Sequence, residues 1–287
     1  MKPIEIYEVG PRDGLQALSH TVSIEDKVDL IESLVNSGLI DIEVGSFVHP
    51  KLVPSMADSD EVFQLVSYVD ACLGVLVPNH RGIERAKQVG AKYYNIFFSP
   101  THSFNIANHG KSYQEVVDHY YQALEGIPKE NIRVYLSMAF RSSKKEMSRA
   151  MKDACALGTT VVLCDTDGTA TNEQVYHTIR RAKQHTDNIA LHLHKSTKLF
   201  QHIATAYEMG VTQFDSSIGG MGGCPFVKGS EANLATEALV KWCNQMHIPC
   251  GVSLEDLEPA LEIVKRIKTC EAPGQSLQNQ HQIPQTH

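Results

Sequence analysis

Short apolar runs alternate with segments of helical period along this chain. Eight runs have strand character: IEIYEVG, IDIEVGSF, CLGVLVP, YYNIFF, RVYLSMAF, TVVLCDTD, IALHLHK and TQFDSSIGG. Between them, residues 24–38, 113–126 and 143–158 repeat apolar positions three and four apart, which predicts amphipathic helices. Ser23, three residues before Asp26, predicts the start of the first of these helices. Eight β-then-α units in about 245 residues predict a (β/α)8 barrel.

Glycines support this alternation. Gly38, Gly90, Gly158 and Gly210 each stand shortly before a predicted strand, where a left-handed residue can end a helix. The strands are almost continuously apolar, as parallel strands covered on both faces are. A doubly wound open sheet is the main alternative. The first β-to-α turn has no G-x-G-x-x-G and the chain has no G-x-x-x-x-G-K-[ST], so neither nucleotide-binding motif supports that alternative.

The C-terminal part has a different character. The glycine-rich segment GGMGGCPFVKGSEAN follows the eighth strand, and helices are predicted over 232–246 and 254–268. We therefore expect one catalytic barrel domain over residues 1–270, closed by an additional C-terminal helix. Residues 271–287 are polar, Gln-rich and interrupted by proline, which predicts a disordered tail.

Composition narrows the class of protein. Of the 287 residues, 42% are hydrophobic and 21% charged, which is typical of a globular protein. The net charge is −7 with no basic stripe, which argues against a nucleic-acid partner. No apolar run reaches the roughly 18 residues of a membrane span, and the N-terminus lacks the apolar region of a signal peptide. Seven scattered cysteines without a C-x-x-C pair predict a reduced, cytoplasmic protein.

Polar residues fall where a barrel carries its active site, at the carboxyl ends of the strands. They are Arg12, Asp13 and Gln16 after the first strand, Glu43 on the second, Asp165 on the sixth, His192 and His194 on the seventh, and Asp215 on the eighth.

His192 and His194 are two apart on a strand and point to the same face, so both imidazoles can converge on one ion. Asp13, which ends the first strand, would lie close by in a closed barrel and add a carboxylate. The alternative is two barrel histidines satisfied by their neighbours. Imidazole and carboxylate donors without thiolate suit Mg²⁺ or Mn²⁺, while Zn²⁺, cobalt or iron could also occupy such a site.

Arg12 and Cys224 are the further candidates for chemistry. If the chain turns at the strand end, Arg12 can face the same site as Asp13 and neutralise an enolate. The alternative for Arg12 is a surface ion pair. Cys224 lies in the glycine-rich segment, where a thiol on a mobile loop can donate or accept a proton; the alternative is an inert thiol.

Asn233 and Glu237 are four apart at the start of the predicted helix 232–246, hence on one face. Asn233 can offer an amide oxygen to the ion, and Glu237 could orient its neighbours. The alternative for both is an ordinary helix start, with Glu237 facing solvent.

Three stretches carry a family resemblance: EVGPRDGLQ, IEVGSFVHPKLVPSMAD and GGMGGCPFVKGSEANLATEALV. Together they resemble the metal-dependent lyase and Claisen-condensation barrel family that includes 3-hydroxy-3-methylglutaryl-CoA lyase, and the resemblance covers residues 4 to 268. It implies a (β/α)8 barrel, Mg²⁺ or Mn²⁺, an acyl-CoA substrate cleaved to acetyl-CoA and acetoacetate, and a homo-oligomer, dimer or tetramer. Leucine degradation and ketone-body formation are the implied metabolic setting.

The resemblance also implies roles for individual residues. Asp13, His192, His194 and Asn233 would be the metal ligands, with Arg12 stabilising the enolate and Cys224 taking part in proton transfer. His192 or Asp165 would act as the base. Four further residues match positions in or beside the family's site: Gln16, Glu43, Asp165 and Glu237. Of these, Gln16 and Glu43 would bind the substrate together with Arg12.

The chain departs from the family pattern at three places on the rim. Thr101-His102-Ser103 replaces a Ser-Glu pair, residues 139–144 replace a second Gly-Cys-Pro segment, and Lys195 replaces an acidic residue. We therefore expect the bond-cleaving chemistry to be retained and the acyl or CoA contacts to differ. Arg141, Lys144 and Lys195 are candidates for binding a carboxylate or phosphate; the alternative is solvated surface charge.

Three alternatives remain beside a lyase for 3-hydroxy-3-methylglutaryl-CoA. The first is a lyase for a related 3-hydroxy-3-alkylglutaryl-CoA, and the second is a condensing enzyme of the same family. The third is a catalytically idle relative kept for binding, against which the intact set Arg12, Asp13, His192, His194, Cys224 and Asn233 argues.

Overall fold

The computed structural model describes residues 1–223 and 232–269. Eight parallel strands close into a barrel in chain order, with β1 paired to β8. The predicted (β/α)8 barrel is therefore confirmed, and closure excludes the open doubly wound sheet. The strands are β1 (Glu5–Glu8), β2 (Asp41–Ser46), β3 (Cys72–Leu76), β4 (Tyr93–Phe98), β5 (Ile132–Leu136), β6 (Thr160–Asp165), β7 (Ile189–Leu193) and β8 (Gln213–Ser216).

Helices surround this barrel, and two of them follow β8 along the chain. They are α1 (Ile24–Asn36), α2 (Ser59–Val66), α3 (His80–Gln88), α4 (His102–His109), α5 (Tyr113–Ala123), α6 (Lys144–Leu157), α7 (Asn172–Ala182), α8 (Leu199–Glu208), α9 (Thr236–Gln245) and α10 (Leu254–Thr269). In the part of the chain that the structure describes, no helix is both long and apolar enough to cross a bilayer.

Side chains at the helix starts explain where several helices begin. The Ser23 hydroxyl accepts a hydrogen bond from the Asp26 amide at 3.1 Å, as the sequence predicts. Ser112 with Glu115 forms a complete reciprocal capping box at the start of α5. Such caps satisfy backbone donors that have no partner within the helix, and each stabilises its helix by about 1 kcal/mol.

The predicted left-handed glycines are confirmed at three of four positions. Gly38, Gly90 and Gly210 have φ of 96°, 83° and 83°. The prediction is wrong for Gly158, whose backbone is extended with φ −145°. A Cβ at Gly158 would lie 2.5 Å from the carbonyl oxygen of Ile132, so this glycine allows the end of α6 to approach β5 closely.

Buried polar and charged side chains lie inside the barrel. A large apolar core lies between the strands and the helices, while a small cluster centred on Tyr135 and Cys164 is separate from it. Hydrogen bonds between strands that are not neighbours must cross the interior. Asn95 on β4 donates to the Tyr7 hydroxyl on β1 at 2.8 Å, and other polar side chains make similar crossings. Buried charges cost desolvation free energy, so this interior indicates a functional demand rather than optimised stability.

Candidate active site

The chain turns sharply at the end of β1. Residues Gly10–Gly14 form one wide helical turn of π type, which brings neighbouring side chains to the same mouth of the barrel. Arg12 Nη1 donates to Asp13 Oδ1 at 2.6 Å. The turn predicted from the sequence is therefore present, and Arg12 is 7% exposed rather than a surface residue.

Buried polar side chains on β2 and β4 hold Arg12 from inside the barrel. Its Nε donates to Glu43 Oε2, and Glu43 Oε1 accepts from Asn95 Nδ2 at 2.7 Å. Burial alone would lower the pKa of Arg12, but the carboxylates of Glu43 and Asp13 outweigh it and raise that pKa, so the guanidinium stays charged. Glu43 is fully buried and contacts Arg12 and Asn95, so it positions the arginine.

The two histidines of β7 lie together, as predicted. Their ring centroids are 5.2 Å apart, and His192 Nδ1 is 3.0 Å from Asp215 Oδ2. Asp215 is in turn held by Arg133 across the barrel at 2.6 Å. Because His192 uses Nδ1 toward Asp215, its Nε2 is the nitrogen left to face the barrel mouth. A carboxylate on the far nitrogen orients metal-binding histidines in this way.

Charges in this network shift pKa values in consistent directions. Burial would raise the pKa of Asp215, but Arg133 and His192 lower it below the usual range. Burial would likewise lower the pKa of His192, yet the hydrogen bond and charge of Asp215 raise it. The pKa of Asp13 is lowered because Arg12 and His192 outweigh its desolvation. These carboxylates are therefore ionised and available as acceptors at neutral pH.

Asn233 corrects one prediction from the sequence. It does not lie on a helix with Glu237, because α9 begins at Thr236. Residues 232–234 are extended, and Asn233 pairs with His194 in an antiparallel bridge. The backbone bond from the Leu234 amide to the Leu193 carbonyl, at 3.1 Å, fixes this pairing. The long-range bridge to the end of β7 thus overrides the helical pattern and places Asn233 beside His194.

The Asn233 side chain closes the gap between β7 and β1. Its Nδ2 donates to Asp13 Oδ2 at 2.7 Å and to the Met221 carbonyl at 3.1 Å. Its Oδ1 is buried and has no hydrogen-bond partner among the residues that the structure describes. A Cβ at Gly222 would lie 2.3 Å from Asn233 Nδ2, so glycine is needed for the chain to pass this close. An unpaired buried oxygen among carboxylate and imidazole donors is what a divalent ion would satisfy.

The residue types of this donor set suit a divalent ion, but their donor atoms do not converge on one point. Asp13 uses both oxygens, one toward Arg12 and one toward Asn233. Within residues 1–223 and 232–269, no three His, Cys, Asp or Glu side chains form a group that could hold an ion as they stand. To hold an ion, Asp13 would have to give up its hydrogen bond with the Asn233 amide, and Asn233 would supply its unpaired Oδ1 as the donor.

A cavity of about 180 Å³ lies at this mouth. The predicted residues that line it are Arg12, Asp13, Gln16, His192 and His194. The sequence reasoning did not assign cavity roles to Phe97, Phe104, Asn108, Tyr135, Ser137 or Thr166, which also line it. Phe97, Tyr135, Ser137 and Thr166 lie at or just after strand ends, whereas Phe104 and Asn108 lie on α4 and match the pattern of the family that the sequence resembles.

Two predicted residues lie elsewhere. The described residues lining the cavity include Thr166 but not Asp165, whose Oδ1 accepts from the Ala170 amide at 3.2 Å. Burial raises the pKa of Asp165 to about 6. Glu237 lies in the first turn of α9, where its Oε2 accepts from the Gly219 amide at 3.0 Å. Glu237 therefore holds the turn after β8 and does not face solvent freely.

Glu8 at the end of β1 was missed, although a charge inside an apolar strand was the available signal. Glu8 is fully buried, and its Oε1 accepts from the amides of Gly10 and Ile218 at 2.7 and 2.9 Å. Its Oε2 accepts from the Thr236 hydroxyl at 2.5 Å. Glu8 thus ties together the turn carrying Arg12, the turn after β8 and the start of α9.

The remaining residues predicted from the sequence lie either on the rim of the barrel or outside the described structure. Arg141 donates from Nε to Asp167 Oδ2 at 2.9 Å, which joins the loops after β5 and β6. Lys144 and Lys195 are exposed. Cys224 lies outside the described residues, as does the predicted tail 271–287.

The closed barrel with polar side chains gathered at its carboxyl-end mouth defines the class of protein, a (β/α)8 barrel enzyme. Comparison with known proteins makes the class specific. The HMGL-like family model matches residues 3–264. Hydroxymethylglutaryl-CoA lyase YngG of Bacillus subtilis is 36% identical over 96% of this chain and 97% of its own. The chain therefore belongs to the HMGL-like family, and it is a carbon–carbon lyase.

Solved structures of HMG-CoA lyases resemble this chain over almost its whole length. The Bacillus subtilis HMG-CoA lyase has a TM-score of 0.89 at 33% identity, covering 96% of this chain and 97% of its own. An HMG-CoA lyase from Acinetobacter baumannii, in complex with coenzyme A and 3-methylmalate, has a TM-score of 0.85 at 29% identity and 98% coverage of both chains. A relative from Pseudomonas aeruginosa, a 3-hydroxy-3-isohexenylglutaryl-CoA/hydroxy-methylglutaryl-CoA lyase, is 31% identical over 90% of this chain and 91% of its own.

Proposed function

We propose that this enzyme cleaves 3-hydroxy-3-methylglutaryl-CoA into acetyl-CoA and acetoacetate with a divalent metal ion, Mg²⁺ or Mn²⁺. The family is metal-dependent. The observation that carries the proposal is the contact of Asp13 with both Arg12 and Asn233, beside the histidine pair of β7. The arginine proposed to neutralise the enolate and the residues proposed to hold the ion are therefore neighbours.

The ligands would be Asp13, His192, His194 and Asn233. When bound, the ion lowers the cost of negative charge on the substrate's 3-hydroxyl oxygen and its carboxylate. Asp215 fixes the ring of His192, so that the Nε2 lone pair points to the mouth. The buried oxygen of Asn233 gives the site a neutral donor that needs no proton release.

In the cleavage, a base removes the hydroxyl proton, the bond from C3 to the thioester-bearing carbon breaks, and C3 becomes the ketone of acetoacetate. The bonding pair forms the enolate of acetyl-CoA. Arg12 neutralises that enolate, and Glu43 keeps the guanidinium in place. Asp165, acting through a water, is the candidate for the base, and its pKa of about 6 suits a base at neutral pH. His192, the other candidate from the sequence, would have no free nitrogen for this step if its Nε2 held the ion, because its Nδ1 contacts Asp215. Cys224 is assigned the proton that completes acetyl-CoA.

A cytoplasmic setting and a homo-oligomer complete the proposal. The first is supported by the free thiols of the five described cysteines, Cys72, Cys155, Cys164, Cys243 and Cys250. The second comes from the family resemblance.

The test is product analysis in both directions. Purified protein with Mg²⁺ should release acetyl-CoA and acetoacetate in equal amounts from 3-hydroxy-3-methylglutaryl-CoA, and Cys224→Ala should slow this release while Cys155→Ala should not. A condensing enzyme would instead form a thioester adduct from acetyl-CoA and a keto acid without net cleavage. That result would replace the lyase with its synthetic relative.

A further inference from the structure

A groove separate from the catalytic cavity lies between α6 and α7 on the outer side of the barrel. It has a volume of about 570 Å³, and its walls come from these two helices and from residues that follow α7. Among the described residues, none that lines the groove also lines the catalytic cavity. Small-molecule sites have volumes of roughly 300–1,000 Å³. The groove therefore has room for a ligand of its own.

The walls of this groove are basic. Lys144 on α6 and Arg180 and Arg181 on α7 line it, together with the imidazoles of His177 and His185. The part of its wall that the structure describes contains no Asp or Glu. Because the whole chain has a net charge of −7, this surface is the opposite of the protein's average composition.

Lys144, Arg180 and Arg181 have no carboxylate partner among the residues that the structure describes. The neighbouring Lys183 differs from them, because its Nζ lies 2.9 Å from Asp187 Oδ1. Lys183 does not line the groove. Three cations that the described part of the protein leaves without a counter-charge therefore share one groove.

Like charges in one groove repel each other. Arg180 and Arg181 are consecutive residues, and Arg181 is only partly exposed, so water screens its charge less than that of a fully exposed arginine. Glu173 gives little relief, because its Oε1 lies 3.6 Å from His177 Nε2 and its side chain is 83% exposed. An anion bound in the groove would offset this repulsion.

Neutral donors complete the walls on both sides. Ser148 on α6 contributes a hydroxyl, and Gln184, just after α7, contributes an amide. Ser148 Oγ lies 3.4 Å from His185 Nε2, so α6 and the segment that follows α7 approach each other at this point. Hydrogen-bond donors therefore come from both walls, and a ligand that uses them has to bridge the two helices.

Arginines that lie side by side are suited to phosphate groups. The guanidinium is always charged and presents its N–H groups in a planar fork that matches two oxygens of a phosphate. A single phosphate is small compared with a groove of about 570 Å³. Two linked phosphates can contact Arg180 and Arg181 on one helix and Lys144 on the other.

We propose that the groove between α6 and α7 binds an anion with two linked phosphate groups, at a site separate from the one that holds the CoA thioester. One phosphate contacts Arg180 and Arg181, and the other contacts Lys144 and Ser148. The inference does not depend on cleavage of 3-hydroxy-3-methylglutaryl-CoA. Two linked phosphates occur in free pyrophosphate, in nucleoside diphosphates and within CoA itself, and the experiments below separate these sources.

The first experiment is a calorimetric titration with pyrophosphate of protein that a chelating resin has stripped of metal, so that no ion recruits the phosphates. We expect saturable binding of one pyrophosphate per chain. Sulfate, a single tetrahedral anion, should bind at least about tenfold more weakly, since one charge-assisted hydrogen bond is worth that order. No saturable binding, or equal binding of sulfate, would overturn the inference and leave the cations as solvated surface charge.

The second experiment removes one charge at a time. Arg181→Ala and Lys144→Ala, one from each helix, should each weaken pyrophosphate binding at least about tenfold. Lys183→Ala is the matched control, because it removes the same charge two positions after Arg181 but does not line the groove. It should bind pyrophosphate as the wild type does. An equal loss in Lys183→Ala would indicate diffuse attraction by the whole surface and would overturn the site. Thermal melting verifies that each variant is folded.

The third experiment identifies the source of the two phosphates. Binding of ADP at least as tight as that of pyrophosphate assigns the groove to nucleoside diphosphates, and weaker binding assigns it to inorganic pyrophosphate; both results support the inference. CoA is then titrated into the wild type and into Arg181→Ala, and we expect the same CoA affinity in both. A loss of CoA affinity of about tenfold in Arg181→Ala would place the phosphates of CoA in the groove and overturn a separate site.

Discussion

Two arginine–carboxylate pairs at the mouth of the barrel have nearly the same chemistry and opposite surroundings. Arg12 with Glu43 lies below the cavity, with side chains 8% and 0% exposed. Arg141 with Asp167 lies on the rim, with side chains 40% and 16% exposed. A buried pair that loses one partner leaves an unpaired charge without water, whereas an exposed pair is resolvated. The pairs therefore differ in what they do: the inner one fixes a charge in place, and the outer one joins two loops.

The largest expected effect comes from breaking the inner pair. Arg12→Gln should lower kcat by about 10²- to 10³-fold, since it removes the group that neutralises the enolate. It should also cost about 3–5 kcal/mol of stability, because Glu43 is left buried and unpaired. Urea unfolding and acetoacetate release measure the two effects separately.

The double variant Arg12→Gln/Glu43→Gln is the control for this separation. It removes both charges, so we expect most of the stability to return while kcat stays low. Recovery of both together would mean that Arg12 acts through folding alone.

A second effect tests the carboxylate behind His192. Asp215→Asn should weaken Mn²⁺ binding by about 10- to 100-fold, because His192 Nδ1 loses its charged acceptor and the ring is no longer held. Calorimetric titration with Mn²⁺ measures this on folded protein. Asp41→Asn, near the other end of the barrel at the start of β2, is the matched control and should bind as the wild type does. Unchanged Mn²⁺ affinity in Asp215→Asn would mean that Asp215 does not contribute to ion binding.

A third effect appears in the pH dependence of stability. Burial raises the pKa of Glu8 to about 7 from its ordinary value of 4.5. The folded state then binds more protons than the unfolded state between these values, so Glu8 stabilises the fold at low pH and this contribution is lost as pH rises through about 7. Glu8→Gln retains one oxygen acceptor but cannot titrate. In this variant, the loss of stability that Glu8 causes between pH 4.5 and about 7 should be absent. Parallel curves for the two proteins from pH 4.5 to 7.5 would contradict the assignment.

A smaller effect is expected at the rim. Lys195→Glu should raise KM for the CoA substrate by about threefold with little change in kcat, as an exposed charge interaction is worth under about 1 kcal/mol. Lys241→Glu on the exposed side of α9 is the matched control. Identical KM values in both variants would mean that Lys195 is solvated surface charge.

The smallest effect concerns the outer arginine pair. Arg141→Ala should change the free energy of unfolding by no more than about 1 kcal/mol, because the pair is partly exposed. Urea unfolding beside Arg12→Gln makes the comparison direct. A loss at Arg141 as large as that at Arg12 would remove the distinction between the two pairs.

The sequence predicts what is local or periodic. The eight strands follow from apolar runs, and the same-face placement of His192 and His194 follows from a spacing of two on a strand. The shared direction of Arg12 and Asp13 does not follow from strand alternation, because it depends on the unusual turn Gly10–Gly14.

Long-range partners are what the sequence could not predict. Asn233 fits a helical pattern, yet its pairing with His194 draws the segment out of the helix. Gly158 stands where a helix ends, but the constraint on it is the close carbonyl of Ile132. Arg133 is visible as a charge in an apolar strand, while its partner Asp215 lies 82 positions further along the chain.

The central claim is that Asp13, His192, His194 and Asn233 hold the ion on which cleavage depends. The most direct measurement is a Mn²⁺ titration of chelator-treated protein, followed by electron paramagnetic resonance and by acetoacetate release from 3-hydroxy-3-methylglutaryl-CoA on the same samples. The account predicts one tight ion per chain, activity that rises in proportion to occupancy, and loss of both in Asp13→Ala. Full cleavage by ion-free protein, or unchanged tight Mn²⁺ binding in Asp13→Ala, would contradict it.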